Sequence, residues 1–356
     1  VHRCINEHTK CNSTISSDPW YPSRLLRLDQ HPEGTTLCVR LVETKEAEIS
    51  GPYLSLSHRW GTADFIKLLS DNLASMKIDV PFSTLSPTFQ DAVWIALEFD
   101  CHYLWVDSLC IIQDSDEDWL KESSSMQDVY RHAKFTISAA NPWALESGLF
   151  SRRYTDQVSS LCHEIRFDAD SPKTTKSLVF HDGIWTRLVA SAPINRRGWI
   201  FQERYLSKRV LHFSSIQLAW ECETLEACEM LPFSVDDALQ SQWSSTAPKR
   251  TWRPTRRQLK NYFRDKKVPP WLDAWITIIE DYSRRTFSEP SDKLIALSGV
   301  ATDFFEKTGD TYLAGLWKNR FIAHMAWYSM FPSLSSRPIQ YRAPSWSWAA
   351  IEGRVY

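Results

Sequence analysis

Four short stretches of this chain carry side chains whose type and spacing could do chemistry. Near the start, Cys4-x3-His8-x2-Cys11 sets two thiols and an imidazole within eight residues. Sulfur and nitrogen donors at such spacing suit zinc, with His2 or Cys38 available as a fourth ligand. The competing and favoured reading is a frayed terminal helix with incidental thiols. Further on, Ser57, Arg59 and Trp60 close an apolar run. A guanidinium there would bind phosphate and the indole would offer a stacking face, whereas the plainer reading is an Arg59–Glu203 bridge and a core Trp60. Asp107 ends a second apolar run and leads to Gln113 and Asp114. Asp107 is either a polar group in a ligand cleft or an acceptor that organises the loop after it, and Asp114 reads first as a helix cap. Cys110 reads as a buried structural thiol, with no His paired to it by spacing. Finally, Gln202, Glu203 and Arg204 place two charges in a run that otherwise looks strand-like. Charges are rarely buried unless paired, so an ion-pair network explains them as well as catalysis does.

The elements that must position these groups follow from periodicity. Arg24–Leu28, Leu37–Val42, Tyr53–His58, Tyr103–Asp107 and Phe135–Ala140 read as short strands. Ser177–Phe180, Gly198–Glu203 and Arg209–Phe213 read the same way. Helical spacing runs over 64–76, over 82–97 with Pro87 in a first turn, and over 117–133. Strand alternating with helix specifies an α/β fold with a mostly parallel central sheet flanked by helices, additional strands, and a helical C-terminal part over 271–284, 293–305 and 312–330. In such sheets ligands sit beyond the carboxyl ends of the strands, which puts 57–61 and 107–114 on the functional edge.

Composition bounds the rest. The chain has 356 residues, 41 basic against 43 acidic side chains and a net charge of -2, so nothing global calls for nucleic acid or an anionic membrane. Its 17 Trp suit either a thick core or stacking surfaces. No apolar run reaches the ~20 residues of a membrane helix, and Val1-His2-Arg3-Cys4 leads into polar sequence without a signal-peptide pattern. Eight scattered Cys fit a reducing compartment, so the expected location is cytoplasmic, with nuclear as the alternative. From Lys249 to Lys267 the chain is strongly basic, with Trp252, Tyr262 and Phe263 interleaved. That run would grip RNA or another polyphosphate, or simply be a solvated loop. The expected divisions are an N-terminal extension over 1–50, a core over 51–220, a basic linker over 221–270, and a C-terminal helical region over 271–356 packed on the core.

Three segments carry a family resemblance. Tyr53-Leu54-Ser55-Leu56-Ser57-His58-Arg59-Trp60-Gly61 is similar to the opening motif of fungal heterokaryon-incompatibility (HET) domains. Leu104-Trp105-Val106-Asp107-Ser108-Leu109-Cys110-Ile111-Ile112-Gln113-Asp114, followed by Asp118-Trp119, Met126, Tyr130 and Ala133, resembles their central motif, with Ile112 where many members have Asn. Asn195-Arg196-Arg197-Gly198-Trp199-Ile200-Phe201-Gln202-Glu203-Arg204 looks like the closing one. Ser291–Leu297 and Ala343–Trp348 resemble segments downstream in longer members. The resemblance implies non-self recognition and cell death as the setting. HET domains have in turn been proposed as remote relatives of TIR domains, which implies a TIR-like, flavodoxin-like core and NAD as substrate of a glycohydrolase. On that reading Glu122, on the helix after the Asp107 strand, is the catalytic carboxylate, with Asp107 beside it. Ser57, Arg59, Trp60, Gln113, Gln202 and Glu203 would line the nucleotide cleft. Glu122 stands one residue closer to Trp119 than in the TIR pattern, and where many HET proteins carry Gln; the alternative is an exposed helix residue. Two other function classes stay open: a HET-like enzyme of small-molecule biosynthesis using a nucleotide or charged RNA, and a non-enzymatic module that binds a protein partner or itself.

Overall fold

The computed structural model describes residues 1–12, 19–30, 37–61, 65–141, 144–154, 161–165, 175–179, 184–232, 270–330 and 335–356. The basic run over 249–267 lies outside them, so its RNA reading has no structural counterpart here.

The molecule is built on one eight-stranded sheet. Its strands are β1 (Arg24–Gln30), β2 (Leu37–Glu43), β3 (Tyr53–Ser57), β4 (Tyr103–Val106) and β5 (Thr136–Ser138), then β8 (Arg209–Phe213), β9 (Leu218–Cys222) and β10 (Glu226–Cys228). Leu161–Ile165 (β6) and Thr175–Val179 (β7) form a separate antiparallel pair. The sheet order is β10-β9-β8-β5-β3-β4-β1-β2. Strands β4, β3, β5 and β8 run parallel. Antiparallel hairpins flank them on both sides. The fold is α/β as expected, and its parallel part is the four-stranded centre. Taken in chain order those four strands lie 2-1-3-4, the doubly wound order of flavodoxin-like sheets. Strands β3 and β4 are buried along their whole length; β4 is accordingly an uninterrupted apolar run, while β3 buries Ser55 and Ser57 among its apolar residues.

Local chemistry fixes the helices between them. Ser86 accepts a hydrogen bond from Phe89 N and Pro87 fills the first position of Pro87–Glu98. Ser115, rather than Asp114, caps Asp116–His132 by accepting from Asp118 N at 3.2 Å. Three acids open that helix and Arg131 and His132 close it, matching the helix dipole at both ends. Asp114 instead accepts from Ser70 N and Oγ at 2.8 and 3.0 Å. Asp118 clamps Arg24 with two bonds of 2.9 and 2.7 Å, tying this helix to β1.

Three sequence expectations fail for physical reasons. The helix expected over 64–76 spans only Leu73–Ile78. Upstream, Leu68 is stitched by its backbone to Ser108 and Gln113 at 2.9 Å each, which a helix would forbid. Gly198–Leu206 is a helix, not a strand. All of its residues except Trp199 are buried, so no amphipathic period marks it. Gly198 is required there: a Cβ would meet the Phe287 ring at 1.9 Å. The helix expected over 312–330 is broken by a hairpin pairing Tyr312–Leu313 with Leu316–Trp317, followed by a short helix Phe321–His324. Ala314 and Gly315 turn the hairpin with positive φ. Gly315 O accepts both the Trp275 and the Trp348 indole N–H at 3.0 Å.

One apolar cluster runs from Leu25 on β1 to Val355 near the C-terminus, and it takes in Trp275, Trp317 and Trp348. Trp105, Trp275, Trp317 and Trp348 are all fully buried, so these four indoles are core rather than stacking surface.

Candidate functional site

The three motifs meet at the carboxyl edge of the parallel strands. Ser57 ends β3, and His58 follows it into the interior. Asp107 follows β4 directly and opens the short helix Asp107–Cys110. Tyr130 comes from the helix Asp116–His132, and Glu203 from Gly198–Leu206. Ser57, His58, Tyr130 and Glu203 are buried, whereas Asp107, Trp60 and Arg197 are partly exposed.

Asp107 is held from two sides. Its Oδ1 accepts from Ser108 N at 2.7 Å, and its Oδ2 accepts from the Trp60 indole at 2.8 Å. His58 Nδ1 lies 3.6 Å from Oδ1, close enough to feel its charge but too far for a hydrogen bond. Gln113 donates to the carbonyls of Asp107 and Ile111 at 3.1 and 2.8 Å, so it organises the loop beneath Asp107. Arg197 donates to His58 O at 3.2 Å.

Electrostatics separate the members. Burial lowers the His58 pKa below its ordinary 6.5, against the pull of Asp107, so the imidazole is neutral at neutral pH. Both of its ring nitrogens lack a hydrogen-bond partner. Glu203 is pushed from an ordinary 4.5 up to about 7. Desolvation is the main cause; hydrogen bonds with Ser57 and Tyr130 and the charge of Arg197 work the other way, while Asp107 adds to the rise. Glu203 Oε2 makes no hydrogen bond. A buried carboxyl balanced between its two forms, with one free oxygen, has the properties of a general acid or base.

The other expected residues lie elsewhere. Arg59 is exposed, and no Arg59–Glu203 bridge occurs among the described ion pairs. Gln202 is buried but turned toward the C-terminal helix, where its Oε1 accepts from Gly299 N at 2.8 Å. Glu122 is only 3% exposed, which removes the exposed-helix alternative. Its charge acts on Arg24 and Cys110. Its Oε1 sits 3.2 Å from Lys121 Nζ at an angle that makes no hydrogen bond. Burial pushes the Cys110 thiol up to about 12, in keeping with an inert structural cysteine.

His58, Tyr130 and Arg197 escaped the sequence reading although each lies inside a motif. Tyr130 looked like a helix-period apolar marker, and its hydroxyl betrays its role only once Glu203 is beside it. An open groove of about 750 Å³, lined in part by Arg284, Phe287, Tyr341 and Arg342, lies on the C-terminal region and includes no residue of the three motifs.

No helix of the described residues is long and apolar enough to cross a membrane. No curated protein and no solved structure matches the chain. Residues 53–203 do match the family described as Heterokaryon incompatibility protein (HET). That span begins with the first residue of β3 and ends on Glu203, enclosing the parallel strands β3, β4 and β5 and every member of the buried acid–base group. Residues 53–203 therefore form a HET domain, the domain of the heterokaryon-incompatibility family.

Proposed function

We propose that this HET domain is the catalytic effector of a fungal non-self response that ends in cell death, and that it hydrolyses NAD with Glu203 as the working carboxylate. The observation that carries the reading is the state of Glu203: fully buried, titrating near 7, with one free oxygen at the edge where a doubly wound sheet takes its ligand. The strand order favours a nucleotide, and the resemblance of HET to TIR domains favours NAD among nucleotides.

In this chemistry the C1′–N bond of the nicotinamide riboside breaks and its electron pair leaves with nicotinamide. Positive charge develops on the ribose, and an adjacent carboxylate stabilises it. Water then adds at C1′ and gives up a proton, which ionised Glu203 accepts. Asp107 fixes the loop through Ser108 and Trp60 and keeps a second negative charge at the edge. Arg197 and Trp60, both partly exposed, would meet phosphate and an aromatic ring respectively. Gln113 acts through the loop it ties.

The test is release of free nicotinamide from NAD by the purified chain. Wild type should release it, Glu203→Gln should lose at least ~10²-fold in rate while staying folded, and Glu122→Gln should keep most of the rate. Loss at Glu122→Gln with survival at Glu203→Gln would return the role to Glu122. No release by folded wild type would discard NAD hydrolysis.

A further inference from the structure

At the opposite edge of the sheet lies a second buried cluster. Cys4 sits in the helix His2–Glu7, His8 follows it, and Cys11 sits in Thr9–Asn12. Cys222 is the last residue of β9 and pairs in register with Arg209, the first residue of β8. All four are buried, and their donor atoms lie within 4.8 Å of one another. His8 Nδ1 is 3.5 Å from Cys222 Sγ and 3.9 Å from Cys11 Sγ. A tetrahedral zinc with Zn–S near 2.3 Å and Zn–N near 2.0 Å has donor–donor edges of about 3.5–3.8 Å. We propose that Cys4, His8, Cys11 and Cys222 form a structural Cys3His zinc site that pins the N-terminal segment to the antiparallel flank.

The surrounding groups are those such a site needs. Three thiolates, a neutral imidazole and a divalent cation sum to one negative charge. Arg209, itself buried, offsets it by donating from Nε to Cys4 Sγ at 3.3 Å and from Nη2 to Cys11 O at 3.2 Å. Leu225 N donates to Cys222 Sγ at 3.4 Å, and Thr224 Oγ1 lies 3.4 Å from Cys11 Sγ. Contacts of this kind orient metal ligands and tune their basicity. Metal binding would displace the thiol protons.

Four inward donors leave no open position, which marks a structural rather than a catalytic zinc. Its place agrees: Arg209 also donates to Lys134 O, just before β5, so the cluster lies at the amino edge of the parallel strands, away from Glu203. The topological consequence is large. Strand β1 lies beyond β4, on the other side of the sheet from β9. A metal at Cys222 would therefore anchor one end of a segment whose other end is paired into the far flank, closing a loop of more than 200 residues.

The experiment is metal analysis of the full chain purified under reducing conditions. Wild type should hold about one zinc per chain. Cobalt in its place should give the near-ultraviolet thiolate charge-transfer band and strong visible bands of a tetrahedral sulfur-rich site. Cys222→Ser and His8→Ala should lose the metal, His8→Cys should retain it, and Cys228→Ser, a buried cysteine outside the cluster, should keep it fully. A chelator should lower the unfolding temperature of wild type. Should Cys222→Ser fail to fold, zinc content and the cobalt spectrum of wild type decide alone. Folded wild type without zinc and without cobalt bands would overturn the site. So would a non-reduced mass two hydrogens light, with two of these cysteines protected from alkylation.

Discussion

Glu203 and Glu221 are both carboxylates buried in the same half of the molecule, yet their surroundings differ in kind. Glu221 on β9 receives Arg204 Nε and Nη2 at 2.8 and 2.9 Å, and His212 Nε2 lies 3.3 Å away. That is a forked, charge-matched pair. Glu203, one residue before Arg204 on the same helix, meets only the hydroxyls of Ser57 and Tyr130 and the more distant charges of Arg197 and Asp107. Its second oxygen is unused. The fold neutralises a buried carboxylate where it needs structure. At Glu203 the charge is offset only in part, by Arg197 and two hydroxyls, and a site that binds or reacts is the place where such a cost is tolerated.

The contrast can be broken most sharply at Glu221. Glu221→Gln strips a buried guanidinium of its fork, and urea unfolding should show a loss of about 3–5 kcal/mol. A loss under about 1 kcal/mol would mean that the pair is not what holds β9 to the helix. Trp60→Phe removes a hydrogen bond to the partly exposed Asp107 carboxylate. It should cost about 1 kcal/mol and should also perturb nicotinamide release, because the loop carrying Asp107 loosens; an unchanged rate would take Trp60 and that loop out of the mechanism. Arg59→Ala should change stability by no more than about 0.5 kcal/mol, since Arg59 is exposed and outside the described ion pairs. A larger effect would restore the Arg59–Glu203 bridge.

How far these features were readable in sequence depended on how local their causes are. Strand β4 was legible as a continuous apolar run and β3 and β5 as short stretches of apolar, β-branched and small residues between turn signals, and Ser57 and Asp107 stood out as polar groups at the ends of β3 and β4. The helix carrying Glu203 was not legible as a helix, because near-complete burial erases the period that a half-exposed helix shows. Gln202 and Glu203 looked equivalent as neighbours, but a helix sends adjacent side chains about 100° apart, one to Gly299 and the other to Ser57. His58 was passed over because a histidine after a strand carries no signal until a carboxylate is found near it. Three of the four proposed zinc donors were visible from spacing; Cys222 lies more than 200 residues away in sequence, and only the fold that sets β9 beside β8 brings it to them.

The most direct test of the central claim, that Glu203 is a buried carboxyl titrating near neutrality, is the unfolding free energy of wild type and Glu203→Gln across pH. Raised from 4.5 to about 7, Glu203 contributes stability that is present in full below its unfolded value and is lost as pH rises through its folded value. Glutamine cannot ionise, so the variant should match wild type in acid and gain on it between those values. Above pH 7 it should be the more stable by about 3 kcal/mol, the free energy of that shift. A difference that stays flat with pH, or a variant that is the less stable above pH 7, would contradict the account.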